Sequence, residues 1–194
     1  MDPIQAINDD RHLARSHDDA NADLCFLALS DEGQPSVRTL VLREVSDSGL
    51  TLFINSTSPK WQIIQENPAA ELLLWYHSIQ RQYRVTGRIE QLDRSVIEKN
   101  WPRRPAGSKY LDHSYGTLAD QSSVLASRQS LIDHVTRLRE SRPEDALTTP
   151  TSATGVILIP DTIECLDLNH ADRIHERKRY TRQNNGWMME HLMP

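Results

Sequence analysis

The chain has 194 residues, of which 38% are hydrophobic and 25% charged, and this composition is typical of one globular domain with a sizeable core. The formal net charge of −5 leaves no broad basic surface, which argues against a duplex nucleic acid or an anionic membrane as the main partner. No apolar run is long enough for a membrane span and the first residues lack signal-peptide features, so we expect a cytoplasmic protein with no membrane partner.

The first part of the chain predicts a helix followed by a series of strands. Residues 3–20 hold a few aliphatic side chains in a polar background, which predicts a weak helix or a mobile N-terminal arm. Residues 24–30 form a compact apolar run that predicts the first strand, and 31–35 contain the Gly and Pro of a turn. Two apolar, β-branched runs within 38–55, separated by Ser-Asp-Ser-Gly, predict a β-hairpin.

A predicted helix start directly after that hairpin outlines an anion-binding site. Ser58 suits the N-cap position, and Pro59 suits the first helical position, where its missing N–H removes no hydrogen bond. The free N–H groups of a helix start favour a negative group, and Lys60 and Arg38 add charge-assisted hydrogen bonds. Phosphate is the natural candidate. The alternative is that both cations are solvated and that Ser58 only caps the helix.

The middle of the chain alternates predicted helices and strands. In order, we predict a helix over 59–67, a strand over 70–76, a strand over 80–92, a helix capped by Asp93 and running to about residue 101, and a loop over 102–109 rich in Pro, Gly and cations. The alternation of apolar and polar residues over 83–89 indicates that one side of that strand is wet or faces a pocket.

The last third of the chain predicts one more helix and a set of strands. The helix over 127–140 carries Leu131, Val135 and Leu138 at helical spacing, and we expect this stripe to be core. We predict a linker over 142–154, strands over 156–159 and 162–168, and a hairpin of 179–182 with 187–191 across Asn184-Asn185-Gly186. Many antiparallel strands with few helices predict a mainly β (α+β) fold, a β-barrel with peripheral helices.

Several short motifs occur in a fixed order along the chain. They are Arg38-Thr-Leu-Val-Leu-Arg43, Ser58-Pro-Lys60, Arg81-Gln82, Arg103-Arg104-Pro105 with Ser108, Gln121-Ser122-Ser123, and Arg173-Ile-His175-Glu-Arg177. In this order, and over nearly the whole chain, the sequence resembles the pyridoxamine 5′-phosphate oxidase family. The resemblance implies one split β-barrel domain over 1–194 that forms a homodimer with FMN at the subunit interface. Residues 1–20 would be its N-terminal arm and 156–194 its dimerisation segment.

The resemblance also implies which residues bind the cofactor. Arg38 and Lys60 correspond to the residues that hold the flavin phosphate, and Gln82 to the one that bonds the flavin ring. Gln121 and Ser122 correspond to a pair supplied by the other subunit. The remaining implied cofactor positions are Thr39, Leu40, Val41, Phe53, Ile54, Ser58 and Arg177.

On the substrate side the resemblance is retained only in part. In the family a lysine, a tyrosine, an arginine and a serine hold the substrate phosphate, and the corresponding residues here are Arg43, Asn100, Arg104 and Ser108. Arginine is not equivalent to lysine at a phosphate, and asparagine reaches less far than tyrosine. The pair that lies over the substrate ring, Arg173 and His175, is retained and implies the catalytic positions.

Two cofactor positions also depart from the family pattern, since Pro59 and Leu166 stand where an arginine and a tryptophan are usual. FMN binding tolerates these changes better than recognition of the original substrate does. The leading hypothesis is an FMN-dependent oxidase of pyridoxamine or pyridoxine 5′-phosphate, with hydride transfer to flavin N5 and reoxidation by dioxygen. The alternatives are an FMN enzyme with another substrate, of the phenazine-biosynthesis or flavin-reductase type, and a flavin-binding module with little turnover. No HExxH or Cys/His grouping occurs, so we expect no metal site.

Overall fold

The computed structural model describes residues 2–184 and 186–194, so Asn185 of the predicted hairpin turn lies outside the described residues. The α-helices are α1 (Pro3–Ser16), α2 (Pro59–Glu66), α3 (Arg94–Asn100), α4 (Ala106–Ser114) and α5 (Arg128–Ser141). The strands are β1 (Leu24–Asp31), β2 (Gln34–Ser46), β3 (Gly49–Asn55), β4 (Ala69–Tyr76), β5 (Arg81–Gln91), β6 (Ala153–Asp167), β7 (Glu176–Gln183) and β8 (Gly186–Leu192). Short 3₁₀ turns cover His77–Ile79, Trp101–Arg103 and Glu144–Ala146.

The strands form a sheet in the order β3-β2-β1-β4-β5-β6-β7-β8, and an additional β3–β6 pairing closes the first six into a barrel. Two glycines allow β6 to approach its neighbours closely. A Cβ atom on Gly49 would lie 2.2 Å from the carbonyl oxygen of Leu158, and one on Gly87 would lie 2.0 Å from that of Ile159. The predicted mainly β barrel with peripheral helices is therefore confirmed.

The chain divides into two compact units. The barrel unit comprises residues up to 52, 67–90 and 157–194. Its core is mainly aliphatic and includes the buried rings of Tyr76 and Tyr83. Strands β1 and β4 alternate buried with half-buried residues, as the sequence pattern requires of strands with one face inside. Helix α1 belongs to this unit and buries Ile4 and Ile7. The carboxylate of Asp2 caps it by accepting the N–H of Ile4 at 2.9 Å, so the predicted N-terminal segment is an ordered helix that ends at Ser16.

The helical unit comprises residues 53–66 and 91–156. A small core of Ile97, Trp101 and Ala153, with Phe53 packed against it, stabilises this unit. The indole N–H of Trp101 donates to the carbonyl of Leu147 at 2.6 Å, which satisfies a buried polar group and ties the predicted linker to the core. The predicted cap of α3 is confirmed, because the Asp93 carboxylate accepts the N–H of the residue two positions later at 2.8 Å.

Helix α4 corrects one prediction, because the sequence between Pro102 and residue 109 was expected to be a loop. Pro105 directly precedes the helix, where a proline removes no helical hydrogen bond, and Gly107 is an exposed residue of its first turn. Tyr110 is 6% exposed and packs α4 into its unit. Proline and glycine therefore mark the beginning of a helix here and not its absence.

Two further predictions were wrong. The strands expected over 156–159 and 162–168 are one continuous strand, β6, despite Pro160. Pairing with β7 begins only at Thr162, so the missing N–H of Pro160 removes no hydrogen bond from that ladder. None of the described residues of helix α5 is buried. The apolar stripe that was expected to be core is half-buried. No helix in the described residues is both long and apolar enough to cross a membrane.

Candidate functional site

Arg38 of β2 is the predicted phosphate-binding residue of the barrel unit. Its Nη2 donates to the hydroxyl of Ser36 at 2.8 Å, two residues earlier on the same face of the strand. Its Nη1 is buried and has no hydrogen-bond partner among the described residues. Burial also lowers the pKa of this guanidinium from its ordinary value. A buried cationic nitrogen without an acceptor is stabilised by an anionic ligand, so Arg38 fits a phosphate group.

The residues after Arg38 continue along the same strand. Thr39 and Val41 are exposed and Leu40 is half-buried, the alternation expected of a strand with one accessible face. The register with β3 shifts between Leu42 and Glu44, so Arg43 sits at a β-bulge. A bulge turns a side chain away from the regular alternation, which is common beside binding sites.

Gln82 is also in the barrel unit, on β5 opposite Trp75 of β4. It is half-buried, and its side-chain amide makes no hydrogen bond to another residue in the described part of the chain. Both its donor and its acceptor are therefore available to a ligand.

Arg177 on β7 lies in a network of opposite charges within the barrel unit. Its guanidinium donates to Glu164 at 2.7 Å, and Arg84 approaches the same carboxylate at 3.4 Å. Arg84 also donates to both oxygens of Glu71, at 2.8 and 3.0 Å, and this bidentate pair is the main reason that the pKa of Glu71 lies below its ordinary value. Arg177 therefore already has a carboxylate partner, in contrast to Arg38.

The segment between β6 and β7 carries the two predicted catalytic residues. Arg173 is exposed and has a left-handed backbone with φ of 66°, a conformation that stores about 1 kcal/mol or more in a non-glycine residue and often occurs at functional sites. His175 is half-buried, and its Nδ1 accepts the backbone N–H of Asn169 at 3.0 Å. Because an N–H only donates, Nδ1 is the acceptor, and the neutral ring carries its proton on Nε2 as a donor.

In the helical unit, the side chains of Lys60 and Gln121 from the same chain form a hydrogen bond. The ammonium of Lys60, in the first turn of α2, donates to the side-chain oxygen of Gln121 at 3.0 Å. The backbone N–H of Gln121 in turn donates to the hydroxyl of Thr57 at 3.1 Å. Ser122 follows with a left-handed backbone, φ 72°. The resemblance implied that a second chain supplies Gln121 and Ser122, whereas Gln121 already contacts Lys60 of its own chain.

Ser58 and the two residues that end β3 shape the beginning of α2. Ser58 is fully buried, and its hydroxyl donates to the carbonyl of Asn55 at 2.7 Å. Ile54 is buried, and Phe53 is half-buried against the small core. Helix α2 begins at Pro59 as predicted, and Ser58 directly precedes it.

The predicted substrate residues of the helical unit mostly have partners of their own. The side-chain N–H₂ of Asn100 donates back to the carbonyl of Val96 at 2.8 Å. The guanidinium of Arg104 donates to Asp112 at 2.9 Å and contacts its second oxygen as well. Asp112 is 5% exposed, so Arg104 neutralises a buried carboxylate. Ser108, half-buried in the first turn of α4, follows in the same unit.

Sequence reasoning missed Asp112, the residue that most changes the electrostatics of Arg104. Arg104 is extended and precedes α4, whereas Asp112 lies within that helix, so no helical spacing in the sequence indicates that the two side chains meet. Ser36, the partner of Arg38, was also missed, although its spacing of two on a predicted strand places both side chains on one face.

Comparison with known proteins gives consistent matches over most of the chain. The family model described as pyridoxamine 5′-phosphate oxidase matches residues 19–142. A pyridoxine/pyridoxamine 5′-phosphate oxidase of Nocardioides sp. (strain ATCC BAA-499 / JS614) is 31% identical over 196 residues, covering 100% of this chain and 88% of that protein. One from Psychrobacter sp. (strain PRwf-1) is 33% identical over 166 residues, covering 84% of this chain and 75% of that protein.

Two solved structures have a fold similar to that of this chain. The crystal structure of PhzG from Burkholderia lata 383, in complex with tetrahydrophenazine-1-carboxylic acid, has a TM-score of 0.89 at 26% identity and covers 100% of this chain and 93% of that one. A pyridoxamine 5′-phosphate oxidase-related, FMN binding protein from Nostoc punctiforme PCC 73102 has a TM-score of 0.78 at 20% identity, covering 98% and 96% of the two chains. Both confirm the split β-barrel predicted from the sequence.

Proposed function

The chain belongs to the pyridoxamine 5′-phosphate oxidase family, and from this premise we propose that it is an FMN-dependent oxidase of pyridoxamine or pyridoxine 5′-phosphate. The observation that carries the proposal is the buried Nη1 of Arg38, which lacks a partner among the described residues and fits the phosphate of a flavin mononucleotide. We further propose a cytoplasmic homodimer that uses dioxygen as the electron acceptor. Membership of the family supports the oxidase activity. The homodimer and dioxygen are what the resemblance of the motifs implies, and the compartment is the expectation from the sequence.

The residues that would hold FMN are those whose polar side-chain atoms can form hydrogen bonds to a ligand, either directly or after exchanging a bond within the chain. Arg38 and Lys60 would bind the phosphate, the latter by exchanging its bond to Gln121 for a charge-assisted one. The side-chain amide of Gln82 would supply a donor and an acceptor to the flavin ring. When bound, the flavin supplies the hydride acceptor that no amino-acid side chain provides, and dioxygen restores it.

Substrate orientation falls to the chain's own residues. Nε2–H of His175 is a donor, and Arg173 adds a cation from the same segment, so the pair would position the substrate by hydrogen bonds to its polar groups. Arg43, Asn100, Arg104 and Ser108 would contact its anionic end. We assign no residue as an obligatory general base.

A second candidate keeps the flavin and changes the substrate. Arg104 is neutralised by the buried Asp112, so it attracts a phosphate dianion less strongly than an unpaired arginine does. Asn100 is turned back to its own helix. Both features favour a substrate with a single weaker negative charge, such as a partly reduced aromatic carboxylate, which can lose hydride to the flavin and is the chemical class bound in the PhzG structure.

The experiment that separates the two candidates is anaerobic flavin reduction by defined substrates. The visible absorption of the FMN-loaded protein is recorded before and after addition of pyridoxamine 5′-phosphate, and separately of a dihydroaromatic carboxylate. Bleaching by the phosphate compound supports the first candidate, and bleaching only by the carboxylate supports the second. A flavin spectrum that neither compound changes contradicts both.

A further inference from the structure

Arg81 belongs to the Arg81-Gln82 motif, yet the proposed function gives it no role. It begins β5, and its guanidinium bridges carboxylates from two other elements of the barrel unit. Nη1 donates to both oxygens of Asp10 in α1, each at 2.9 Å, and Nη2 donates to Asp167 at the end of β6 at 2.5 Å. Asp10 is 8% exposed and also accepts the hydroxyl of Tyr83. The buried carboxylate of Asp10 thus fixes the guanidinium of Arg81 through Nη1. Through Nη2, the same guanidinium holds Asp167 at the end of β6.

Gln80, the preceding residue, holds the next part of the same segment. Its backbone carbonyl accepts the N–H of Leu168 at 3.1 Å, and its side-chain oxygen lies 2.7 Å from Nε2 of His170. Its own backbone is left-handed, with φ of 52°, which a non-glycine residue adopts only when its surroundings enforce it. Residues 80 and 81 therefore anchor the chain on both sides of Asn169.

The backbone of Asn169 connects this anchored segment to the imidazole of His175. Its backbone N–H is the donor to Nδ1 of the imidazole, at 3.0 Å. The direction of that N–H is set by the peptide planes around it, which the contacts of Asp167 and Leu168 hold. The anchored segment therefore sets both the orientation of the ring and the nitrogen that carries the proton.

We propose that Arg81 is a positioning residue for His175, acting through Asp167 and the backbone N–H of Asn169. The catalytic importance of His175 rests on the proposed function, but the positioning of its ring does not. Loss of the Arg81–Asp167 pair would release the segment, so that the N–H of Asn169 no longer selects one tautomer of the imidazole.

The test measures the ring of His175 directly. Full-length protein labelled with ¹⁵N-histidine is examined by long-range ¹H–¹⁵N correlation at about pH 8, where an ordinary histidine is neutral. The His175 signals are assigned by their loss in His175→Gln. We expect a single tautomer with the proton on Nε2 in the wild type, and a mixture of tautomers in Arg81→Ala. Arg88→Ala is the matched control, because Arg88 lies on the same strand, pairs with Glu90 at 3.2 Å and is 65% exposed.

A second variant covers the case in which Arg81→Ala does not fold. Asp167 is 39% exposed, so Asp167→Ala removes the same link with less disturbance of the core, and we expect the same mixture of tautomers. A His175 ring that keeps its single tautomer in either folded variant would overturn the proposal.

Kinetics provides a separate readout. With a substrate that reduces the flavin, we expect kcat of Arg81→Ala to fall about 10-fold or more, with KM and flavin content little changed, because the ring is misplaced and not removed. An unchanged kcat counts against the proposal. Failure of the wild type to turn over any substrate would contradict the proposed function, and the tautomer measurement would still decide the role of Arg81.

Discussion

Arg38 in the barrel unit and Arg104 in the helical unit are both predicted to hold an anionic group, but their surroundings differ. One guanidinium nitrogen of Arg38 donates to a neutral hydroxyl, and another is buried without a partner among the described residues. Arg104 is paired with the buried carboxylate of Asp112. An arginine of the first kind gains an interaction when an anion binds, whereas one of the second kind must exchange an interaction it already has. The barrel unit is thus better prepared for an anion than the helical unit is.

The largest effect we predict comes from Arg104→Ala. It removes the cation that pairs with the buried carboxylate of Asp112, so the free energy of unfolding should fall by about 3 kcal/mol. Urea denaturation measures this change. The neighbouring Arg103 is exposed and serves as the matched control, since Arg103→Ala should shift stability by no more than about 0.5 kcal/mol. Equal effects of the two variants would show that the pair with Asp112 does not stabilise the helical unit.

The second prediction concerns acid, and its sign follows from the Glu71–Arg84 pair of the barrel unit. The pKa of Glu71 is lower in the folded state than the ordinary value of 4.5, because Arg84 donates hydrogen bonds to the carboxylate. As the pH falls below 4.5, the unfolded chain takes up a proton before the folded one does, so this stabilisation is lost. The urea midpoint should therefore drop between about pH 6 and about pH 3, and drop less in Glu71→Gln. An equally steep drop in that variant would assign the acid sensitivity to other carboxylates.

A smaller change in the free energy of unfolding, opposite in sign to that of Arg104→Ala, is expected for a substitution of Arg38. Arg38→Met keeps an unbranched apolar stem and removes a partly buried charge, one nitrogen of which has no partner among the described residues. The free energy of unfolding in the absence of ligand should stay constant or rise by up to about 1 kcal/mol. Urea denaturation of the flavin-free protein measures this. A loss comparable to that of Arg104→Ala would remove the contrast between the two units.

The fold was largely predictable from residues whose signal is local. The alternation at Tyr83 and Val85 is enough to assign β5, and Pro59 is enough to place the beginning of α2. Pro105 misled the prediction, since it is equally compatible with a loop and with a helix start. The stripe of α5 misled it as well, because helical spacing predicts an apolar face but not what covers it.

The residue types of the candidate site are a prediction from the sequence, whereas the partners of these residues are seen only in the structure. Arg38 and Lys60 follow from the hairpin and the helix start. The pairing of Arg104 with Asp112 depends on a helix that the sequence did not reveal. The bond from Asn169 to His175 depends on the path of an irregular segment, for which no periodicity exists.

The most direct test of the contrast between Arg38 and Arg104 is a titration of the flavin-free protein with FMN, followed by quenching of flavin fluorescence. We predict that the wild type binds FMN and that Arg38→Met weakens the affinity about 10-fold or more, which corresponds to about 1.4 kcal/mol for a lost charge-assisted bond. Arg88→Ala, which removes an exposed arginine of the barrel unit, should leave the affinity unchanged. A wild type that does not bind FMN, or an Arg38→Met variant that binds it equally well, would contradict the assignment of Arg38 to the flavin phosphate.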